Sequence, residues 1–315
     1  MEKMSSIVRR QFKEGDDIRD AGLTTPEDVI RYDDIAYGKD SEMQVLDVYR
    51  PKDAEGRILP VIVSVHGGGW VYGDKERYQY YCMSLAQRGF AVVNFSYRLA
   101  PEHQFPASLK DTNLAFAWVL KHKDEYGMDM ENLFAVGDSA GAQMLSMYAD
   151  ICTNEEYAAN CEIQIPDGIH IKAVALNCGQ YSLENPENMT KQLMAEYLPG
   201  KGTAEELKHL SPVLYVNEKF PPAYIMTAEE DFLRAQAPVM YEKLKEKGVA
   251  CELHDYSSDK EKLQHVFHLN MKSEAAKRCN DEECDFFRRL TIGDGNHWGR
   301  GKTVYCAHER NPVLY

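Results

Sequence analysis

Short, almost uninterrupted apolar runs alternate along this chain with longer segments in which apolar residues recur at helical spacing. LPVIVSVHG (59–67) and FAVVNFSY (90–97) are typical of strands buried on both faces, and KERYQYYCMSLAQRG (75–89) between them predicts a helix. The same alternation continues through 107–127, 132–138, 140–152, 171–179, 222–229, 234–248 and 249–257, and a last helix is predicted over 266–290. Repeated strand–helix units imply parallel strands joined by right-handed crossovers. We therefore predict an α/β fold with a mostly parallel central sheet flanked by helices.

The length of 315 residues and the 44% hydrophobic content suffice for one large core, so we expect a single domain over residues 1–290. Residues 182–210 interrupt the alternation and predict one or two inserted helices. Together with about the first 35 residues, this insertion is expected to form a helical cap over the carboxyl ends of the strands. Residues 291–315 have no periodicity, and we assign them no role.

The net charge of −14 argues against binding to nucleic acid or to an anionic membrane. The N-terminal segment has no apolar core of a secretory signal, and no stretch approaches 18 apolar residues. Eight cysteines occur without any C-x-x-C pair, which is typical of reduced thiols, so we expect a cytoplasmic protein. Cys279 and Cys284 could form a bridge or a metal pair, but free thiols on the charged side of a helix are the favoured interpretation.

The run VIVSVHGGGWVYGDK (61–75) places three glycines directly after a strand. A dinucleotide fingerprint requires a third glycine where Tyr72 stands, and a phosphate loop requires Lys where Asp74 stands. Both nucleotide-binding interpretations therefore fail. A plain tight turn and a close approach of substrate to the backbone both remain open at this point.

FAVGDSAGA (134–142) places Ser139 in a G-x-S-x-G motif between a strand and a helix. This context is typical of a nucleophile elbow, in which a sharp turn projects the serine hydroxyl out of the sheet. Gly137 and Gly141 must then be small so that strand and helix can pass each other. The N–H of Ala140, the residue after the nucleophile, is the expected first donor to an oxyanion.

A serine nucleophile needs a base, and the base needs an orienting acid. YIMTAEEDFL (224–233) ends a strand in an acidic cluster, from which we select Asp231 as the acid and keep Glu230 as the alternative. The acid is expected at this strand end because ligands and catalytic groups collect beyond the carboxyl ends of parallel strands.

The base must follow the last strand. His265 comes after a polar loop and is the expected base, whereas His254 lies inside the strand and is expected to be structural. His268, one helical turn later, should face the same side as His265. A metal bound by these two histidines alone is a weak prediction, since no carboxylate or thiolate lies nearby in the sequence.

Five segments in this order resemble the hormone-sensitive-lipase-like branch of the α/β-hydrolase esterases. They are HGGGWVYGD (66–74), YRLAPEHQFPA (97–107), GDSAGA (137–142), AEEDFLR (228–234) and HVFH (265–268). The resemblance implies a catalytic triad of Ser139, Asp231 and His265, oxyanion donors in Gly68, Gly69 and Ala140, and no need for a cofactor or metal. It also implies that His66 is structural. Ala142 stands where such proteins usually have a glycine, and one methyl group there should be tolerated.

The expected activity is that of a serine carboxylesterase acting on small short-chain acyl esters. An arylformamidase-type amide hydrolase, with Trp70 in its HGG-x-W loop, and an acetyl or feruloyl esterase of plant polysaccharide are the alternatives. A non-catalytic binding module is disfavoured, because the serine, acid and base are all present. The expected partner is a small-molecule ester, and an exposed final strand could pair two protomers into a homodimer.

Overall fold

The computed structural model describes residues 2–291, so the segment after 291, to which no role was assigned, lies outside the described residues. Its centre is a sheet whose strands follow the spatial order β1-β2-β4-β3-β5-β6-β7-β8. The strands are β1 (Val29–Ala36), β2 (Val45–Pro51), β3 (Leu59–Val65), β4 (Ala91–Phe95), β5 (Met128–Asp138), β6 (Ala173–Asn177), β7 (Ala223–Ala228) and β8 (Cys251–Tyr256). β2 is antiparallel to both β1 and β4, and every other pair is parallel. The predicted α/β fold with a mostly parallel sheet is confirmed.

Helices cover both faces of this sheet. They are α1 (Met4–Asp20), α2 (Lys75–Gln87), α3 (Ala107–His122), α4 (Ala140–Thr153), α5 (Glu155–Cys161), α6 (Asn188–Tyr197), α7 (Ala204–His209), α8 (Gln236–Glu246) and α9 (Glu274–Leu290). Among the described residues, none of them is long and apolar enough to cross a membrane.

The last helix begins later than predicted. Val266 adopts left-handed backbone, with φ of 53°, and Phe267–Leu269 forms a single 3-10 turn. A left-handed β-branched residue cannot lie inside an α-helix. α9 therefore starts only at Glu274, where the hydroxyl of Ser273 accepts a hydrogen bond from the N–H of Ala276.

The prediction that Cys279 and Cys284 lie on the charged side of this helix is wrong. Both thiols are fully buried in the core between the sheet, α2 and α9. The buried stripe of α9 also contains Asn280 and Glu283. The acidic residues around the two cysteines made this buried stripe difficult to recognise in the sequence.

The strand register places the functional segments side by side at the carboxyl ends of the parallel strands. Val65 lies beside Gly137, Asp138 beside Asn177, and Asn177 beside Met226. The carboxyl ends of β3, β5, β6 and β7 are therefore neighbours, as expected for ligand binding in a parallel sheet.

The two segments predicted to form a cap contain α1, β1, α6 and α7. α1 and α6 are joined where the Ser5 N–H donates to Glu196 Oε1 at 3.1 Å. β1 was not predicted, and it forms the edge of the sheet. The action of α1 and the insertion as a cap stays a prediction.

Candidate active site

Ser139 occupies the sharp turn between β5 and α4. Its φ of 52° and ψ of −120° lie where L-residues are rarely found, and its N–H donates to the Asn177 carbonyl at 2.9 Å. Strained backbone of this kind persists only where the surrounding structure enforces it, and it is often found at functional sites.

The surrounding glycines explain how this turn is enforced. A Cβ on Gly137 would lie 2.8 Å from the Gly141 carbonyl oxygen, and one on Gly141 would collide with the carbonyls of Val65 and His66. The sequence-based argument that both residues must be small is confirmed. α4 thus packs directly against the end of β3.

The structure brings the three predicted triad residues into one hydrogen-bonded chain. His265 Nε2 lies 2.9 Å from Ser139 Oγ, and His265 Nδ1 lies 2.6 Å from Asp231 Oδ1. The hydroxyl of Thr227 and the N–H of Leu233 also donate to the Asp231 carboxylate, at 2.8 and 2.9 Å. Burial by itself would raise the pKa of Asp231, but the hydrogen bond and charge interaction with His265 hold that pKa below its usual value.

The alternative acid, which lines the cavity beside the triad, and the second histidine are not part of this hydrogen-bonded chain. The carboxylate of Glu230 pairs with Lys262 at 3.0 Å and is partly exposed. His268 does not share a face with His265, because the left-handed Val266 breaks the predicted helix. Its ring packs edge-on against Tyr81 in the core, with centroids 5.1 Å apart, and burial lowers its pKa to about 3.

Two triad residues and a neighbouring thiol together have the composition of a metal site. Within residues 2–291, Cys178, Asp231 and His265 have potential ligand atoms within 4.8 Å of one another. However, Asp231 and His265 are already bonded to each other, and burial raises the pKa of the Cys178 thiol well above its usual value. A protonated, enclosed thiol is a poor ligand, so this donor set does not suit a resident metal.

The glycine loop after β3 adopts backbone that side chains disfavour. Gly68 and Gly69 have φ of 118° and 61°. Within residues 2–291, neither N–H donates to a protein acceptor. Ala140 is the first residue of α4, where the N–H groups have no acceptor inside the helix. These three N–H groups are therefore available to a ligand.

Side chains buried around this loop hold it in place. The His66 ring donates from Nδ1 to the Gly67 carbonyl at 2.7 Å and stacks on Tyr97, and burial lowers its pKa to about 4. The Tyr78 hydroxyl accepts from the Gly67 N–H at 2.9 Å and donates to Asp138 Oδ2 at 2.8 Å. His66 thus has the structural surroundings that the resemblance implied. Tyr78 was missed, because nothing in the sequence of α2 distinguishes it from the neighbouring tyrosines.

A cavity of about 500 Å³ opens beside Ser139 and His265. One wall is supplied by α1, which belongs to the N-terminal segment that was expected to contribute to a cap. The lining residues from this helix are Gln11, Phe12, Gly15, Asp16 and Arg19. Arg19 is paired with Asp16 and Asp20 at 2.8 and 2.7 Å. The wall therefore has no unpaired arginine for an anionic substrate.

Known proteins resemble this chain both in sequence and in fold. The family described as BD-FAE matches residues 46–244. Esterase LipQ of Mycobacterium tuberculosis is 30% identical over 230 residues, which cover 69% of this chain and 53% of LipQ. Ethyl acetate hydrolase of Pseudomonas putida is 26% identical over 261 residues, which cover 80% of this chain and 77% of that enzyme.

The chain spans about half the length of the first curated relatives that it matches. Among solved structures, esterase B of Lactobacillus rhamnosis superimposes with a TM-score of 0.81 at 25% identity, over 91% of this chain and 95% of that protein. The Pyrobaculum calidifontis esterase superimposes with a TM-score of 0.76 at 24% identity, over 93% and 95% of the two chains.

The family match covers more than half of the 315 residues, and the solved structures share the fold over nine-tenths of the chain. The segments that carried the resemblance also meet at one edge of the sheet. The chain belongs to the BD-FAE family and has the motifs and the fold of a hormone-sensitive-lipase-like α/β-hydrolase.

Proposed function

We propose that this chain is a serine carboxylesterase that hydrolyses small short-chain acyl esters through an acyl-enzyme intermediate. The observation that carries the proposal is the single hydrogen-bonded chain from Asp231 through His265 to Ser139. The curated relatives named as esterases support the same reaction class.

In the proposed mechanism, Ser139 Oγ attacks the ester carbonyl carbon while His265 Nε2 takes the hydroxyl proton. The C–O bond to the leaving group then breaks, and His265 returns the proton to the departing alcohol oxygen. Asp231 keeps the proton on Nδ1, which leaves Nε2 free to act as the base. Water repeats the sequence on the acyl-enzyme and releases the carboxylic acid.

The negative oxygen of each tetrahedral intermediate is assigned to the N–H groups of Gly68, Gly69 and Ala140. Fixed donors of this kind stabilise the charge as it develops, and loss of one typically costs about 3 kcal/mol. The absence of side chains at Gly68 and Gly69 lets a substrate oxygen approach the backbone.

The cavity of about 500 Å³ lies in the size range of small-molecule sites, which supports a small ester as the substrate. The relative named ethyl acetate hydrolase points in the same direction. The amide-hydrolase alternative rested on Trp70, and the surroundings of Trp70 do not favour it. The Trp70 ring is buried, and its indole N–H donates to Gln143 Oε1 at 3.0 Å instead of facing the cavity. Rates on N-formylkynurenine and on acetylated xylan, set beside simple esters, would rank the two alternatives.

The test compares p-nitrophenyl esters of increasing acyl length and labelling by a fluorophosphonate probe. Wild type should turn over the acetyl and butyryl esters fastest, and Ser139→Ala should lose both turnover and labelling. The exposed Ser257 provides a control, since Ser257→Ala should behave as wild type. Absence of wild-type turnover, or full activity of Ser139→Ala, would refute the proposal.

Cytoplasmic location and homodimerisation are further proposals. β8 pairs only with β7 in the described part of the chain, so its outer edge has backbone groups available for a second copy. Light scattering after size exclusion would give the oligomeric state.

A further inference from the structure

A fully buried carboxyl group on α9 reaches the strand that supports the nucleophile. Glu283 Oε1 accepts a hydrogen bond from the Tyr81 hydroxyl, and Oε2 accepts one from Asn177 Nδ2, both at 2.7 Å. Both donors are neutral. Burying a carboxyl group with neutral partners costs free energy that an apolar residue at this position would not.

Asn177 connects this carboxyl group to the nucleophile. It is the last residue of β6 and is 1% exposed, and its carbonyl accepts the N–H of Ser139 at 2.9 Å. The Oδ1 atom of Asn177 has no hydrogen-bond partner within residues 2–291. The Asn177 side chain is therefore oriented by its one bond to Glu283.

We propose that Glu283 is a positioning residue, which holds Asn177 so that the Asn177 carbonyl keeps Ser139 in its strained backbone conformation. The inference rests on the proposed function, in which Ser139 is the nucleophile. Glu283 lies in the core, next to the carboxyl end of β6, and does not line the cavity. Its loss should therefore slow the chemical step and leave substrate binding unchanged.

The first test measures kcat and KM on p-nitrophenyl butyrate and the rate of Ser139 labelling by a fluorophosphonate. Glu283→Ala should lower kcat and the labelling rate about tenfold, with KM within about twofold of wild type. The control is Asp281→Asn on the same helix, which removes an exposed carboxylate that contacts Arg88 and should change neither value. An unchanged kcat in Glu283→Ala would overturn the proposal.

The second test exchanges the two polar partners and does not depend on Glu283→Ala folding. Asn177→Asp places a carboxylate against Glu283 and should lower kcat and the labelling rate about tenfold. Adding Glu283→Gln recreates the hydrogen bond with reversed roles, and both rates should return to within about twofold of wild type. Failure of the second change to restore them would mean that Glu283 does not act through Asn177.

The two readouts separate this inference from the proposed function. Ester turnover by wild type tests the function. The ratio of variant to wild-type labelling rates tests the positioning role without reference to any substrate.

Discussion

Gly68 and Gly69 are adjacent in the glycine loop but have different surroundings. A Cβ on Gly68 would collide with the carbonyl of Tyr72, whereas one on Gly69 would lie 3.1 Å from the flexible end of Leu193. Both backbones are left-handed, which costs a side chain on the order of 1 kcal/mol. The added methyl group would therefore meet fixed backbone at Gly68 but a movable side chain at Gly69.

Gly69→Ala should therefore lower kcat about a hundredfold, because the displaced loop weakens an oxyanion donor, while the melting temperature falls only slightly. Gly68→Ala should lower both strongly, since the Tyr72 backbone must move. Steady-state kinetics and thermal unfolding of both variants provide the comparison. Equal losses of kcat and stability in Gly69→Ala would indicate that the loop is only a turn.

Asp231→Asn should lower kcat by about four orders of magnitude with little effect on KM. An amide at this position lets the His265 ring adopt the wrong tautomer, with the proton on the nitrogen that must act as base. Glu230→Gln is the matched change, and kcat should remain within about threefold of wild type because that carboxylate faces Lys262. A larger loss in Glu230→Gln would favour the alternative acid.

The sequence placed Ser139, Asp231 and His265 close together because each follows a strand that ends at the same edge of the sheet. It did not indicate Tyr78 or Glu283, since both lie on helices and reach the site through the core. Periodicity predicts which face of a helix is buried. It does not tell which polar group on that face is bonded to a strand end several elements away.

At the scale of elements, Arg9 is one of the side chains that attach α1 to the glycine loop. Arg9 Nε donates to the Val71 carbonyl at 2.8 Å, and its Nη2 donates to the Ala100 carbonyl at 2.9 Å. The same guanidinium pairs with Glu102 at 2.6 Å. These contacts hold the helix that supplies one wall of the cavity.

Arg9→Leu should loosen α1, so that kcat/KM falls several-fold and trypsin cleaves after Lys13 faster than in wild type. Arg10→Leu is a close control, because Arg10 is exposed and pairs only with Glu2 within the described residues. Limited proteolysis and kinetics on the two variants measure the effect. Equal cleavage rates in the two variants would show that Arg9 does not hold the helix.

Buried strands and amphipathic helices were predicted well because tertiary contacts reinforce their local patterns. β1 was missed because half of its side chains are exposed and it has only one neighbouring strand. The start of α9 was misjudged because Val266 has a helical neighbourhood in sequence but left-handed backbone in the fold. Tertiary packing overrides local preference at such positions.

For the whole molecule, buried carboxyl groups and buried histidines have opposite effects on the free energy of unfolding as the pH changes. Burial raises the pKa of Asp138 and of Glu283 to about 7, so the stability that their neutral forms give is lost as the pH rises through that value. Burial lowers the pKa of His66 to about 4 and of His268 to about 3. In the unfolded chain these histidines take up protons below about pH 6.5, so stability also falls as the pH drops below that value.

The free energy of unfolding should therefore fall as the pH rises from about 6 to about 7, where Asp138 and Glu283 lose their protons. Denaturant unfolding measured at pH values from 4 to 8 would test this. Glu283→Gln should reduce this fall. A stability that rises steadily up to pH 8 would contradict the prediction.

The cavity is assembled from distant parts of the chain. Residues 11–19 form one wall, and His265 and Leu269 lie on another. The cavity is complete only when α1 lies against the glycine loop and the segment after β8 has brought His265 to Ser139. Recovery of turnover during refolding would therefore report that both of these segments are in place, not the sheet alone.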